Sequence, residues 1–191
     1  MRVTQEVADQ NRLKVVEVAS RKFREHGYDG IGVADLMKAA GLTHGGFYKQ
    51  FKGKAALMVE ATAEAMAANR RFWQSIFEKN DRPRTEAFRD AYLSNLHTTN
   101  ISEGCCFASL AAQAHRYGPE LQEVFGEGLQ ELVQMIEPSY EGEADEEALR
   151  TVSLLVGALV LSRAVGDHPI GEKVRMAAHN ATKASPEQAE T

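Results

Sequence analysis

The feature that most constrains this chain is the spacing of its apolar residues, which recur three and four positions apart over long runs. Only five prolines occur in 191 residues, so few of these runs are interrupted. In the first run, Leu13, Val16, Ala19 and Phe23 fall on one helical stripe. Gly27 then supplies the residue type that ends a helix. We find no convincing strand or hairpin signal, so the sequence predicts an all-α protein.

Breaking residues divide the chain into about nine predicted helices. The first helix is predicted to end at about His26, the second to run from Val33 to Ala40, and the third to begin after Thr43. The remaining six are predicted at Lys54 to about Lys79, Arg84 to about Asn100, near Cys105 to before Gly118, about Pro119 to Ile136, about Glu146 to Val165, and from Pro169 onward. The seventh helix is predicted to close at Pro138, before an acidic loop from Glu141 to Glu147.

Two short helices joined by a tight turn at Gly41 predict a helix-turn-helix within an N-terminal three-helix domain. We place the domain boundary after this domain. The predicted domains are a helix-turn-helix domain at 1–53, a helical body at 54–182, and a tail at 183–191 that is predicted to be disordered because it is polar and lacks apolar anchors.

The net charge of −5 conceals an asymmetry between the two ends of the chain. Residues 1–54 carry ten lysines and arginines against six acidic residues, a net +4, whereas the remainder carries −9. A basic head on an acidic body is expected if only the head touches a polyanion. Many solvated helical surfaces vary in charge by this much. The charge asymmetry is therefore weak evidence for nucleic-acid binding unless a DNA-binding motif lies in the same segment.

Composition narrows the class of protein further. With 43% hydrophobic residues the chain can bury cores, and its two cysteines, Cys105 and Cys106, are neighbours that cannot form a disulfide framework. There is no leader pattern, and the longest apolar stretch, Val152 to Leu161, is shorter than the roughly 20 residues of a membrane span. We therefore expect a soluble cytoplasmic protein with no membrane partner. No nucleophile–base pair, phosphate-binding glycine loop or metal-ligand spacing is apparent, so we predict no enzyme, no cofactor and no metal site.

The segment that opens the third helix carries the strongest functional signal. Thr43 is a good N-cap, whose hydroxyl would accept a hydrogen bond from a helix amide. Gly45 and Gly46 would each cost a helix about 1 kcal/mol relative to alanine. Close approach of the backbone to another surface explains them, and a loose turn is the alternative. Because the N-terminal residues of a reading helix face base edges in the major groove, we predict that Thr43, His44, Gly45 and Gly46 contact DNA.

The aromatic residues that follow divide into two groups. We interpret Phe47 and Phe51 as core residues that pack on Phe23 and Leu36. For Tyr48, the ring could pack in the core while its hydroxyl reaches a phosphate, and we favour the phosphate contact.

Three lysines close to this segment suit the DNA backbone, although solvated lysines are the alternative. They are Lys49, Lys52 and Lys54. Lys54 is the preferred contact because it opens a helix whose N-terminal amides also favour phosphate. We include Lys49 with it among the predicted DNA-binding residues.

In their order and spacing, these residues resemble the TetR family of transcriptional regulators over about a quarter of the chain. The matching positions are Val15, Val16, Ala19, Phe23, Gly27, Tyr28, Val33, Asp35, Leu36, Ala39, Ala40, Gly41, Thr43, Gly45, Tyr48, Phe51 and Lys54. Gly32 and Gly53 depart from the family, which usually has capping side chains there, and this weakens two local caps. The resemblance implies a homodimer that binds two-fold-symmetric double-stranded operator DNA.

The resemblance also implies dimerisation through the last two long helices, near 146–165 and 169–182. The first of these is apolar on nearly every face, and Gly157 and Ala158 would let another helix approach closely. A core helix within one subunit is the alternative, and opposite faces could serve both roles.

Between the head and this interface lie aromatic and aliphatic side chains that could line an effector pocket. They are Phe72, Trp73, Ile76, Leu96, His97, Phe107, Leu110 and Phe125. Such a lining would favour an apolar or aromatic small-molecule effector, although periodicity does not separate a pocket wall from ordinary core.

The adjacent cysteines raise a second possibility. Cys105 and Cys106 follow Gly104 at a predicted helix start, where the helix dipole lowers the pKa of a thiol. This suggests oxidant or electrophile sensing, whereas the alternative is that both cysteines are small buried hydrophobic residues.

The sequence therefore predicts a DNA-binding regulator, most simply a homodimeric repressor released from its operator by a small-molecule effector. A repressor that senses through Cys105 and Cys106 is the alternative within that class. A helical interaction module that does not bind DNA is the alternative outside it.

Overall fold

The computed structural model describes residues 4–137 and 146–183, and these residues form an all-α structure, as predicted. Within them lie ten α-helices and one 3-10 turn. The helices are α1 (Gln5–His26), α2 (Val33–Ala39), α3 (Phe47–Gln50), α4 (Lys54–Glu78), α5 (Arg84–Tyr92), α6 (Asn95–Thr99), α7 (Cys106–Ala114), α8 (Pro119–Ile136), α9 (Glu146–Val165) and α10 (Ile170–Ala181), and the 3-10 turn is His44–Gly46.

The ends of α1 follow from local chemistry. The hydroxyl of Thr4 accepts a hydrogen bond from the amide of Val7 at 3.4 Å, which caps the first turn. At the other end, Gly27 has φ +73° and donates its N–H to the carbonyl of Phe23 at 2.8 Å. Glycine adopts this left-handed conformation without a Cβ clash, so the helix ends where the sequence predicted.

The helix predicted over 84–100 is wrong in one respect, because it forms two helices, α5 and α6. The break lies at Leu93 and Ser94. The hydroxyl of Ser94 accepts a hydrogen bond from the amide of His97 at 3.3 Å and so caps the start of α6. A serine that bonds the backbone in this way favours a new helix start over continuation of the preceding one.

By packing, the helices fall into two units. The first unit contains residues 4–69 and 101–128, and the second contains 70–100 together with the described residues from 129 onward. The first parts of α4 and α8 therefore belong to the first unit and their last turns to the second. These packing units divide the chain differently from the predicted functional boundary after residue 53, which stays a prediction.

The core of the first unit contains most of the apolar residues predicted to support the helix-turn-helix, but Leu13 of the predicted α1 stripe is 67% exposed, and Val33 is only partly buried. The core includes Val15, Ala19, Phe23, Tyr28, Leu36, Met37, Ala40, Phe47, Phe51, Leu57, Met58, Ala61, Cys106, Leu110 and Leu121. The prediction that Phe47 and Phe51 are core residues is confirmed, since they are 0% and 3% exposed. One continuous core thus holds α1 to α4 together with α7.

The second unit has a different core, built around one aromatic cluster. The Trp73 ring contacts Phe88, Tyr92 and His97, with centroid separations of 4.7, 5.8 and 5.6 Å. The same unit contains α9 and α10, which pack closely against each other.

In the part of the chain that the structure describes, one helix, α9, is long and apolar enough to cross a membrane by length and composition alone. The apolar character of α9 therefore extends beyond the stretch Val152 to Leu161. A buried core helix of a soluble protein has the same properties, so α9 is weak evidence for a membrane span. Pro138, the loop residues 141–145 and all of the predicted tail except Lys183 lie outside the described residues.

Candidate nucleic-acid interface

The turn of the helix-turn-helix is set by the end of α2. Gly41 has φ +71°, and its N–H donates to the carbonyl of Lys38 at 2.9 Å. The N–H of Leu42 donates to the carbonyl of Met37, also at 2.9 Å. This pair of bonds is the Schellman motif, which requires a left-handed residue after the helix and so explains the glycine. At the start of α2, Gly32 forms no side-chain cap, consistent with the weak cap expected from the sequence.

Residues 43–50, called the reading segment below, form a 3-10 turn that continues directly into α3. Thr43 occupies the N-cap position, but its hydroxyl makes no capping hydrogen bond, contrary to the prediction. Instead the amide of Gly46 donates to the backbone carbonyl of Thr43 at 3.0 Å. The tighter 3-10 turn satisfies this amide through the main chain, so the hydroxyl of Thr43 is not needed to start the turn.

Most side chains predicted to face DNA are exposed. Thr43, His44, Lys49 and Lys52 are exposed, and Tyr48 is 68% exposed although it directly follows the buried Phe47. Tyr48 therefore presents its ring and hydroxyl at the surface, where a phosphate could reach them. Lys54 is half-buried at the first position of α4.

Packing within the chain does not require the two glycines of the reading segment. A Cβ added to Gly45 would meet no atom within 4 Å, and one added to Gly46 would meet only the terminal methyl of Met37 at 3.7 Å, an ordinary contact. Both residues also have negative φ. The lack of a side chain at Gly45 therefore leaves backbone accessible to an approaching molecule and is not needed for the fold.

A buried tyrosine joins the helix-turn-helix to α4. The hydroxyl of Tyr28 lies 2.7 Å from that of Thr62, which itself donates to the carbonyl of Met58 on α4. The amide of Tyr28 donates to the side-chain oxygen of Gln113 on α7 at 3.2 Å. Burial raises the pKa of Tyr28, so its hydroxyl stays protonated and available as a donor.

A buried arginine ties α1 to the residues that precede α7. The guanidinium of Arg24 donates to the carbonyls of Ser20 and Gly104, both at 3.1 Å. The side-chain nitrogen of Asn69 donates to the same Gly104 carbonyl at 3.2 Å, and its side-chain oxygen accepts a hydrogen bond from the amide of Cys106, also at 3.2 Å. Sequence reasoning missed Arg24 and Asn69 because Gly104, whose carbonyl both side chains contact, lies 80 and 35 residues away from them.

The cysteines lie beside this network and are both buried, at 4% exposure for Cys105 and 0% for Cys106. The pKa of Cys106 is raised to about 12, mainly by burial and also by the neighbouring Cys105, whereas Arg24 acts in the opposite direction. The expected lowering of the thiol pKa by the helix start is therefore wrong for Cys106. Desolvation of the thiolate outweighs the field of the helix and the nearby guanidinium.

The residues predicted to line an effector pocket are divided between the two packing units. Phe107, Leu110 and Phe125 belong to the first unit, where Leu110 is buried and the rings of Phe107 and Phe125 are 5.7 Å apart. The other five belong to the second unit. There Trp73 and His97 are packed together in the aromatic cluster, Ile76 is half-buried, and Phe72 and Leu96 are 47% and 74% exposed.

The second unit contains a groove that sequence reasoning did not find. It has a volume of about 510 Å³ and lies between the last turns of α4, the start of α5 and the end of α8. Arg70 pairs with Glu131 across it at 2.7 Å, and the Arg84 guanidinium lies 5.6 Å from the Phe77 ring centre. Its lining is mainly polar, so the search for aromatic and aliphatic walls overlooked it. Among the described residues, no group of three potential ligands is placed to hold a metal ion.

Comparison with known proteins supports the interpretation of the N-terminal segment. Residues 15–61 match the sequence profile of the family described as bacterial regulatory proteins, tetR family. No curated protein sequence matched the chain.

Several solved structures share the fold. A TetR transcriptional regulator from Chloroflexus aurantiacus J-10-FL superposes with a TM-score of 0.76 at 23% identity, covering 92% of this chain and 96% of that one. The reduced form of Escherichia coli NemR gives 0.72 at 19% identity, covering 92% and 100%. A TetR-family regulator from Cytophaga hutchinsonii gives 0.73 at 18% identity, covering 95% and 96%. At these identities the likeness concerns the fold.

A helix-turn-helix with an exposed reading segment, followed by a helical body, defines the class of DNA-binding transcriptional regulators. Within that class, residues 15–61 match the tetR family of bacterial regulatory proteins, and the chain shares its fold with solved TetR-family regulators. Members of this family are DNA-binding regulators, which is consistent with the expectation that this protein is not an enzyme.

Proposed function

We propose that this regulator is a cytoplasmic homodimeric repressor, released from its operator by a small-molecule effector. In this proposal residues 1–53 bind DNA, and residues 54–182 dimerise and bind the effector. The DNA contacts are Thr43, His44, Gly45, Gly46, Tyr48, Lys49 and Lys54.

The observation that carries the DNA-binding role is that the reading segment exposes polar side chains while a buried aromatic ring anchors it to the core. His44, Tyr48 and Lys49 are exposed, whereas Phe47 in the same segment is fully buried. Nothing within the chain requires Gly45 to lack a side chain. Exposed polar groups on a rigid support, with accessible backbone, suit contacts to base edges and phosphates in the major groove.

An apolar stripe on α9 supports the dimer. Leu154, Val160 and Leu161 are 37%, 40% and 55% exposed, although the opposite face of this helix is buried in the second unit. Gly157 lies on the same stripe, and a Cβ added there would meet no atom within 4 Å. Exposed apolar patches of this kind mark interaction sites, and a stripe of this spacing suits the same helix of a second copy.

Helix α10 also exposes apolar side chains, as the stripe on α9 does. Ile170 is 44% exposed and Ala177 is also exposed, and α10 packs closely against α9. Two helices from each copy would then form a four-helix interface with two-fold symmetry. Such a dimer presents two reading segments to half-sites about 34 Å apart, which predicts a palindromic operator.

The groove in the second unit supports the capacity to bind an effector. Its volume of about 510 Å³ is in the range of about 300–1,000 Å³ that is typical of ligand sites. The groove also belongs to the packing unit that contains α9 and α10, so a ligand there would act on the unit that carries the proposed dimer interface.

The proposal is tested with the purified protein and DNA from upstream of its own coding region. Light scattering coupled to size-exclusion chromatography should give the mass of a dimer. Fluorescence anisotropy should show saturable binding that weakens with salt and that excess unrelated DNA does not abolish. A monomer, or binding no tighter than to unrelated DNA, would contradict the proposal and favour a helical interaction module that does not bind DNA.

Thiol sensing through Cys105 and Cys106 is the second candidate. The guanidinium of Arg24 next to these residues favours a thiolate. Against it, both side chains are buried and the pKa of Cys106 is raised. NemR was solved in a reduced form, which is a property of that protein. We therefore place small-molecule release first.

A further inference from the structure

Arg12 lies on α1, three residues before the segment that matches the family, and makes two specific contacts. Its Nη2 pairs with the carboxylate of Glu60 on α4 at 2.6 Å. Its guanidinium carbon lies 4.8 Å from the centre of the Phe51 ring. One side chain therefore joins α1, α4 and the residue at which α3 ends, all within the first packing unit.

Phe51 also begins a continuous run of ring contacts into the reading segment. It stacks on Phe47 with centroids 5.3 Å apart and planes at 25°. Phe47 contacts the edge of Tyr48 at 5.1 Å, and Tyr48 contacts His44 at 6.0 Å. The run that starts at the Arg12 guanidinium thus ends on two exposed side chains that we propose contact DNA.

The chemistry of Arg12 suits positioning better than direct phosphate binding. A planar guanidinium can stack on a ring face and pair with a carboxylate at the same time, which a lysine ammonium does not reproduce. Phe47 and Phe51 pack through apolar surface, which has little directional preference. The pairing of Arg12 with Glu60 adds a directional contact between α4 and the end of α3.

We propose that Arg12 and Glu60 are positioning residues of the DNA interface, which set the orientation of α3 through the ring of Phe51. A displacement of α4 would then reach His44 and Tyr48 through Glu60 and Arg12. This inference rests on the proposed DNA-binding role of the reading segment.

The first test measures operator affinity by anisotropy at several salt concentrations for Arg12→Lys, Arg12→Gln and Glu60→Ala. Each variant should bind about threefold to tenfold more weakly than the wild type, as is typical of coupled contacts. Arg12→Lys should be impaired like Arg12→Gln, because it keeps the charge and loses the planar stacking. The slope of affinity against salt should not change, since no phosphate contact is removed.

A phosphate contact by Arg12 gives the opposite pattern, and would overturn the proposal. Arg12→Lys would then bind like the wild type, and Arg12→Gln would lower the salt slope by about one. Glu60→Ala would tighten binding, because it removes a negative charge near the DNA. Lys22→Gln is the matched control, since it removes a cation of α1 that pairs locally with Glu25, and it should leave affinity unchanged.

The second test needs no DNA. Hydrogen exchange of the peptide covering 44–51 should be faster in Arg12→Gln and Glu60→Ala than in the wild type and Lys22→Gln, because the variants release α3 from its support. Unchanged exchange would overturn the inference even if the proteins bind DNA. Faster exchange in a protein whose wild type binds no operator would instead contradict only the proposed function.

Discussion

The imidazole of His97 lies edge-on to the indole of Trp73, with ring centroids 5.6 Å apart and planes at 81°. The Nδ1 atom of His97 is 2.7 Å from the carbonyl oxygen of Tyr92, to which a protonated Nδ1 donates. The pKa of His97 is lowered to about 4, mainly by burial and also by the nearby Arg163, whereas the hydrogen bond to Tyr92 acts in the opposite direction. The folded protein therefore holds this imidazole neutral well below the pH at which it titrates in an unfolded chain.

From this shift we predict acid destabilisation of the second unit. An unfolded histidine titrates near pH 6.5 and the folded one near 4, so its contribution is present above about pH 6.5 and is lost as the pH falls to about 4. The loss should amount to about 3 kcal/mol. Urea unfolding followed by Trp73 fluorescence at each pH measures it. His97→Phe should show a smaller loss over the same interval, and parallel curves for the two proteins would contradict the assignment to His97.

Replacement of Gly45 should separate DNA binding from folding. Gly45→Ala introduces a Cβ with no atom of the chain within 4 Å, so the melting temperature should be unchanged or slightly higher. Operator affinity should fall by about tenfold or more, since the added methyl blocks close backbone approach, and a loss of this size corresponds to about 1.4 kcal/mol. Anisotropy measures the affinity, and differential scanning calorimetry measures the stability.

Gly126→Ala is the matched control for this substitution. It also adds a methyl group with no atom within 4 Å, but on α8 and outside the reading segment. Its operator affinity should equal that of the wild type. If Gly45→Ala binds as well as Gly126→Ala, the backbone of Gly45 does not approach DNA closely.

A charge on the exposed stripe of α9 should dissociate the proposed dimer. Leu161 is 55% exposed, so Leu161→Glu should leave each subunit folded. At a two-fold interface it would bury two carboxylates, and the dimer dissociation constant should rise by about a hundredfold or more. Sedimentation equilibrium measures this constant. Leu13→Glu, at a 67% exposed position on α1, should remain dimeric, and a dimer of unchanged affinity for Leu161→Glu would place the interface elsewhere.

The buried thiol of Cys106 should react slowly in the native protein. With its pKa raised to about 12 by burial, little thiolate is present at pH 8, and modification by a disulfide reagent should be at least about a hundredfold slower than in urea. The variant Cys105→Ala/Cys106→Ala should bind the operator normally. Rapid native modification together with loss of operator binding, absent in the variant, would instead support the thiol-sensing alternative.

The helix-turn-helix was predictable because its determinants are local. Gly41 ends α2 through its own backbone conformation, and the buried Phe47 and Phe51 lie four residues apart, one turn of a helix. The contacts that hold this motif were not predictable in the same way. Tyr28 meets Thr62 and Arg24 meets Gly104 across 34 and 80 residues, and spacing within a helix carries no information about such partners.

The candidate effector and thiol sites show the same distinction. Side-chain type alone grouped Phe107 with Trp73, whereas packing places them in separate units. The position of Cys106 at a helix start predicted an acidic thiol, but burial reverses the shift. The effect of burial on the pKa depends on atoms supplied by distant segments, so only the folded chain determines it.

The sequence by itself determined the helical class, the position of the helix-turn-helix and the residues that form its core, because periodicity and glycine conformation act over one or two turns. Tertiary structure decided that Arg12, Arg24 and Asn69 join helices, that both cysteines are buried, and that a polar groove lies between α4, α5 and α8. These features arise from desolvation and from contacts between distant segments, which exist only once the helices have packed.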